Sequence, residues 1–325
     1  MKVYLSHETA LRYWRMHFPL DTEPGNWVRM NAVEEYAYRK DDVIGCTPEW
    51  LIDPDEPLNV LVFDAAKRRV SQSVNCTLWG TVVPDDAFFR LGNAFVSSPE
   101  FLFLQMASRL SVVKLVALGC ELCGLYVPLP KGVLRPDTLD QNPTRICPLT
   151  DAGRLRAFAE RAVGAKGRKN ALRALRFIVD GSRSPMETRT FMQLCLSPML
   201  GGYGFPLPQM NLEIPLDEEG RVIARQQTAF GDICWSEKQL DIEYHGDVHV
   251  GSAQMKHDVG RILGIEHMGW KVITVTSSQV LDIDRFDVVA QQAASRLGRQ
   301  LPSRVAGDTP ARRMLHDELD SWMLG

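Results

Sequence analysis

An excess of positive charge is missing from this 325-residue sequence: 37 Lys and Arg stand against 40 Asp and Glu, for a net charge of −3. That excludes a global polycation, so any affinity for nucleic acid must come from a local patch. Long apolar runs are missing too. The most apolar stretch, residues 112–127, is interrupted by Lys114 and Glu121 and makes a poor membrane span. The opening residues 1–8 lack the apolar core of a signal peptide. Cysteine is sparse and odd in number. Seven thiols over this length suit a reduced, cytoplasmic protein and not a disulfide framework. There is no internal repeat and no low-complexity tract. What is present is ordinary, with 45% hydrophobic and 24% charged residues, which excludes a wholly disordered, collagen-like or coiled-coil chain. The length favours two domains with sizeable cores.

Pro128, Pro130, Pro136, Pro143 and Pro148 mark the clearest boundary. Proline removes a backbone donor and disfavours helix before it, so 128–149 is expected to be an extended linker. The expected organisation is a mixed α/β domain over 1–127, the linker, a second domain over 150–300 and a tail over 301–325. In the first domain Ser6 caps a helix over 7–17, residues 58–63 and 77–83 are strands, and Ser98-Pro99 opens a helix to 110, followed by another over 111–125. In the second, helices are expected over 150–163, 167–179 and, from Ser184-Pro185, to 196. Strands follow at 209–214, 228–235 and 240–245, then a helix over 252–267 stopped by Gly269. The β-branched run 271–276 is a strand, 285–297 a helix, and 311–323 a short helix in the polar tail. From Glu187 onward the order is α-β-β-β-α-β, one mixed sheet with helices packed on it.

The sharpest cluster of chemistry-bearing residues is Asp232, Asp241, Glu243 and His245. Side chains alternate faces along a strand, so Asp241, Glu243 and His245 share one face. If Glu237-Lys238 is a two-residue turn, Asp232 falls opposite Glu243, with Cβ atoms roughly 5 Å apart. Like charges at that separation call for a cation between them, and hard oxygen ligands suit Mg²⁺ or Mn²⁺. Acidic residues on a strand face are, however, usually solvated.

These residues sit within a longer series. Ser184-Pro185-Met186-Glu187-Thr188-Arg189, Asp232-Ile233-Cys234-Trp235, Leu240-Asp241-Ile242-Glu243-Tyr244-His245-Gly246, His249, Lys256, Asp258, Arg261 and Gly269-Trp270-Lys271 occur in order. The series resembles the PD-(D/E)xK nuclease superfamily, and within it the bacterial group of unknown function related to very short patch repair endonuclease, over about residues 180–285. The resemblance implies a restriction-endonuclease-like core and metal-dependent cleavage of DNA. Asp232 and Glu243 would be metal ligands and Glu187 an assisting acid. His249, Asp258 and Arg261 match later positions of the pattern, with Asp241, His249 and Asp258 in support. The superfamily usually has Lys, and the close group Asp, where this chain has His245. Histidine titrates in the neutral range and suits a general base, and Lys256 is a second source of positive charge. His245, His249, His257 and His267 fall close together, but Gly246 and Gly251 break the helical spacing a zinc pair would need.

Between Arg154 and Arg183 nine basic residues stand against Glu160 and Asp180, a local +7 that leaves −10 for the rest of the chain. Lys166, Arg168, Lys169, Arg173 and Arg176, with Arg261, are the expected DNA contacts, and binding through them would be salt-sensitive. A solvated helix face is the plainer reading. Cys120 and Cys123 form a lone CxxC in an apolar helix and read as buried thiols. Residues 5–11, together with 96–100 and the helix after them, resemble segments of AbiEi-type antitoxin and regulator proteins, which implies a protein partner for the first domain. The leading expectation is therefore a cytoplasmic, Mg²⁺- or Mn²⁺-dependent DNA endonuclease. The alternatives are a catalytically silent nuclease-fold regulator of antitoxin type that binds DNA or protein, and an unrelated α/β binding domain in which Asp232 and Glu243 are surface carboxylates.

Overall fold

The computed structural model describes residues 2–16, 29–30, 39–68, 71–128, 145, 147–246, 252–301 and 307–324. The chain divides into two units, Met1–Leu122 with Arg145–Arg176, and Cys123–Thr144 with Phe177–Gly325. Each contains helices and a mixed sheet, so the protein is α/β as the sequence implies. Most of the proline-rich linker, and most of 18–38, lie outside the described residues. No helix among the described residues is long and apolar enough to cross a membrane.

In the first unit β1 (Val3–Leu5), β2 (Arg29–Met30), β3 (Leu58–Val62), β4 (Val74–Leu78), β5 (Phe88–Leu91) and β6 (Ala94–Ser97) form one sheet in the order β2-β5-β6-β1-β3-β4. It carries α1 (His7–Met16), α2 (Lys40–Cys46), α3 (Pro99–Met106) and α4 (Val112–Leu122). Tyr4 on β1 packs its ring 4.9 Å from Phe88 and 5.3 Å from Phe95. Ser98 accepts from the Phe101 N–H at 3.2 Å and Pro99 fills the first turn, which fixes the start of α3. All eight residues of α3 are buried, so it is an interior helix. At the start of α1, His7 takes φ +47. Its N–H donates to Gln105 Oε1 at 3.1 Å, and its Nδ1 lies 2.9 Å from Ser6 Oγ.

Two helices expected in the second domain belong to the first unit: α5 (Ala152–Arg161) and α6 (Arg168–Ala174). The reason is packing. Phe158 on α5 meets Phe101 on α3 with ring centroids 5.8 Å apart. Asn170 on α6 donates to the Ala107 and Leu110 carbonyls, each at 3.0 Å. Asp151 caps α5 by accepting from the Arg154 N–H. Thr150 donates to the buried Glu100 at 2.8 Å.

The second unit runs α7 (Pro185–Cys195), β7 (Gln209–Pro215), α8 (Glu218–Ala224), β8 (Thr228–Trp235), β9 (Leu240–His245), α9 (Ser252–His267), β10 (Lys271–Thr276), α10 (Ser277–Val280), α11 (Ile283–Arg296) and α12 (Pro310–Leu319). The sheet order is β10-β9-β8-β7. β7 with β8 and β8 with β9 are antiparallel, whereas β9 and β10 are parallel. A parallel neighbour needs a crossover, which α9 supplies, and Gly269 at φ +84 releases the chain into β10. Helix α8 is an addition to the order read from sequence. It packs on α9 through small residues: a Cβ on Gly264 would lie 2.8 Å from Ala224 Cβ, and one on Gly260 3.2 Å from the Ile223 carbonyl oxygen.

The stretch expected as a tail is built into this unit. Thr309 caps α12, with Pro310 in its first turn. Arg189 of α7, fully buried, donates to Asp320 at 2.5 Å and lies 3.3 Å from His316 Nδ1. Arg312 pairs with Asp287 of α11 and stacks 4.3 Å over the ring of Tyr203, which also bonds Asp287.

Candidate functional site: a carboxylate cluster on the second sheet

The β8–β9 pairing matches Trp235 with Leu240, Cys234 with Asp241 and Ile233 with Ile242. Continued by one step, that register sets Asp232 opposite Glu243. The turn differs from expectation: Ser236–Lys238 form a short 3-10 turn and Gln239 takes φ +46. Four residues thus replace two, yet the pairing sum, and so the shared face, is unchanged. Asp232, Cys234, Asp241 and Glu243 lie together on this face.

Their surroundings are closed. Glu243 is fully buried, and Arg261 of α9 holds both of its oxygens, at 2.6 Å and 2.7 Å. Arg261 also donates to the Phe230 carbonyl at 2.7 Å. Asp241 is fully buried as well. Its Oδ1 lies 3.4 Å from both the Ile233 N–H and the Cys234 thiol, and its Oδ2 has no hydrogen-bond partner. The space for this carboxyl exists because residue 231 is glycine: a Cβ there would stand 2.7 Å from the Asp241 carboxyl carbon. Asp232, half-buried, accepts from the Tyr244 N–H at 2.9 Å.

Glu187 joins from α7. Ser184 Oγ accepts from the Glu187 N–H at 3.0 Å, and Glu187 Oε2 accepts from the Arg183 N–H at 3.0 Å, so the acid is fixed by the helix start itself. Asn211 adds a third hold, donating to Glu187 Oε2 at 2.7 Å and to the Gly181 carbonyl at 3.0 Å. Asn211 sits within β7, opposite Asp232 in register, at φ +48. Asparagine tolerates that left-handed conformation better than most residues, and the turn of the backbone aims its amide at Glu187.

The electrostatics follow from crowding. Burial first, then the charges of Glu243, Glu187 and Asp241, push the Asp232 carboxyl well above the usual range. Burial and Glu243 do the same to Asp241. Burial also raises Glu187, against the opposing effect of its hydrogen bonds. Burial and Asp241 push the Cys234 thiol up, so it is no nucleophile. Arg261 on Glu243 and Arg183 near Glu187 are two cations against four carboxylates.

Of the other residues singled out from sequence, His245 ends β9, half-buried, and its Nε2 is buried without a partner. His249 lies outside the described residues, as do the side chains of Lys256 and Asp258. Lys166, Arg168, Lys169, Arg173 and Arg176 belong to the first unit, whereas the carboxylates belong to the second. Arg168 is partly spent there, donating to the Ala159 and Glu160 carbonyls at the end of α5. Cys120 and Cys123 are buried and form no disulfide. Arg261, expected to contact DNA, donates to Glu243 in this structure. Sequence reading did not single out Asn211 and Gly231. The only signal at either is its residue type, since each tolerates backbone or space that a bulkier residue would not.

Among the described residues no group of three His, Cys, Asp or Glu converges tightly enough to hold a metal ion as the side chains now stand. The donor set nevertheless suits a hard cation: the oxygens are carboxylate, and the buried Asp241 Oδ2 lacks any donor. Comparison of the chain with protein families, with curated proteins and with solved structures returns no match.

Proposed function

We propose that the second unit is a divalent-metal-dependent nuclease that hydrolyses DNA phosphodiester bonds. The observation that carries this reading is the buried Asp241 oxygen without a donor, in a cluster with Glu243, Glu187 and Asp232, where burial and the other carboxylates push the Asp232 carboxyl up. Asp232 and Glu243 would hold Mg²⁺ or Mn²⁺, with Asp241 behind them. When bound, the ion supplies Lewis-acid activation of water and offsets charge on the phosphoryl group. Glu187, fixed at one oxygen by Arg183 and Asn211, orients the attacking water through the other. His245, two residues beyond Glu243 on the same strand, would take the proton that this water loses as its oxygen bonds to phosphorus and the P–O ester bond breaks. The exposed Lys166, Lys169 and Arg173 would neutralise backbone phosphates from the first unit.

The test is incubation of the purified chain with supercoiled plasmid in EDTA, Mg²⁺ and Mn²⁺, beside Asp232→Asn and Glu243→Ala. Nicking is expected with either metal and not in EDTA, and both substitutions should abolish it. Equal nicking by Glu243→Ala in a preparation free of contaminants would remove the site assignment.

A second reading is favoured by one observation: Arg261 takes both Glu243 oxygens, and histidine stands where the nuclease pattern carries lysine. The chain would then be a silent nuclease-fold regulator of antitoxin type. It predicts DNA or protein binding with no nicking in any metal.

A further inference from the structure

We propose that Arg261 is an exchangeable counter-ion: it holds Glu243 until a divalent ion takes its place, and the freed guanidinium then grips the phosphate of the substrate. The inference rests on the nuclease reading and assigns how that same site is regulated. Three features carry it.

First, the fork is complete, with two nitrogens on two oxygens of a fully buried carboxylate. An ion coordinated by Glu243 would sit within a few ångströms of the guanidinium, where two positive charges in a poorly solvated site repel strongly. The two cations therefore compete. Second, an incoming ion has a further oxygen at hand, since Asp241 Oδ2 is buried beside Glu243 with no N–H or hydroxyl donor on it. Third, Arg261 has somewhere to go. Its side chain keeps 19% of its surface accessible, whereas Glu243 keeps none, and its bond to the Phe230 carbonyl serves as a pivot. A planar fork that fits a carboxylate also fits two oxygens of a phosphate.

Exchange makes the two ligands cooperative. Metal frees the arginine for phosphate, and phosphate stabilises the arginine once it has left Glu243. By linkage each ligand must tighten the other by the same factor. Without DNA the site would resist metal.

The experiment is calorimetric titration of Mn²⁺ into wild type, Arg261→Gln and Glu243→Gln, each alone and with a short phosphorothioate duplex that resists cutting. For wild type the duplex should tighten Mn²⁺ by roughly tenfold, the usual size of such coupling. Arg261→Gln should bind Mn²⁺ without DNA as tightly as wild type does with it, and gain nothing further. Glu243→Gln should bind Mn²⁺ poorly in both conditions. Equal Mn²⁺ affinity for wild type and Arg261→Gln overturns the exchange. So does undiminished binding by Glu243→Gln. In either case the plasmid assay still decides the nuclease reading. No Mn²⁺ binding by any form, together with no nicking, overturns the nuclease reading and the exchange with it. If Arg261→Gln fails to fold, Arg261→Lys, which keeps one charge but loses the fork, should show intermediate Mn²⁺ affinity. An affinity for this variant equal to wild type counts against the proposal.

Discussion

His7 shows how one residue ties folding to pH. Burial, and then the charges of Arg109 and Lys166, hold its imidazole down to about 3. The folded state thus refuses a proton that the unfolded chain accepts near the ordinary histidine value. Between those two values the unfolded state binds more protons, so stability falls as pH falls. At pH 4.5 the loss should be roughly 2–3 kcal/mol relative to pH 7. His7→Asn, which tolerates the positive φ, should remove that increment, so urea melts of the two proteins should draw together as the pH is lowered. A constant gap from pH 7 to 4.5 would mean His7 is not the titrating group. Gly231 acts differently, by leaving room. Gly231→Ala would drive a methyl group into the Asp241 carboxyl and the Cys234 sulfur. Overpacking of this kind costs roughly 1–3 kcal/mol. The expected signature is weaker Mn²⁺ binding by a protein with unchanged secondary structure.

Elements were legible where their pattern is local. Ser184-Pro185 and Ser98-Pro99 announce helices α7 and α3 because cap and first turn are written in adjacent residues. The strands β7 to β10 were legible from alternation and β-branching. The shared face of Asp232, Asp241 and Glu243 followed from register, which survives a change of turn because the pairing sum is the same for a two-residue and a four-residue connection. Short elements were not legible. β1 is three residues, all buried, and β5 and β6 are four each, too short to display a period. Helix α8 is seven residues with Gly220 inside, a residue that sequence logic counts against a helix. Its glycine and alanine are explained only by α9 beside it. Gly264→Ala should test that packing. On propensity alone alanine would stabilise an exposed helix by about 1 kcal/mol. Here it meets Ala224 Cβ at 2.8 Å, so a net loss is expected in chemical denaturation. A gain would show that the two helices can move apart at little cost.

At the scale of the whole chain, periodicity told that α5 and α6 bury a face but not against what. Eight of the nine basic residues counted between Arg154 and Arg183 therefore fall in the unit without the carboxylates. The pairing of Arg261 with Glu243 was hidden for the same reason, because the rotation of α9 on the sheet is set by tertiary packing. If the basic face binds DNA, replacing Lys166, Lys169 and Arg173 by Ala should lower the slope of log affinity against log salt by roughly 3, about 0.9 for each phosphate no longer neutralised. An unchanged slope would assign DNA binding elsewhere. The ion pair at the end of α12 gives the last expectation. Asp320→Ala leaves Arg189 buried beside a neutral His316, held down to about 4 by burial and by Arg189 and Arg312. Half of Asp320 is exposed, so the loss should fall below the cost of a fully buried pair, at roughly 1–3 kcal/mol.

That ion pair also bears on how the chain is made. Arg189 and its partner Asp320 are 131 residues apart. As the chain emerges from the ribosome, helix α7 is complete long before the carboxylate that neutralises it exists. During that interval a guanidinium destined for the interior has no partner, and the second unit cannot close around it without the penalty of an isolated buried charge. The first unit has no such wait beyond Arg176. Translation should therefore deliver a finished first unit attached to an open second one, and the nascent carboxylate cluster would be assembled only when α12 arrives.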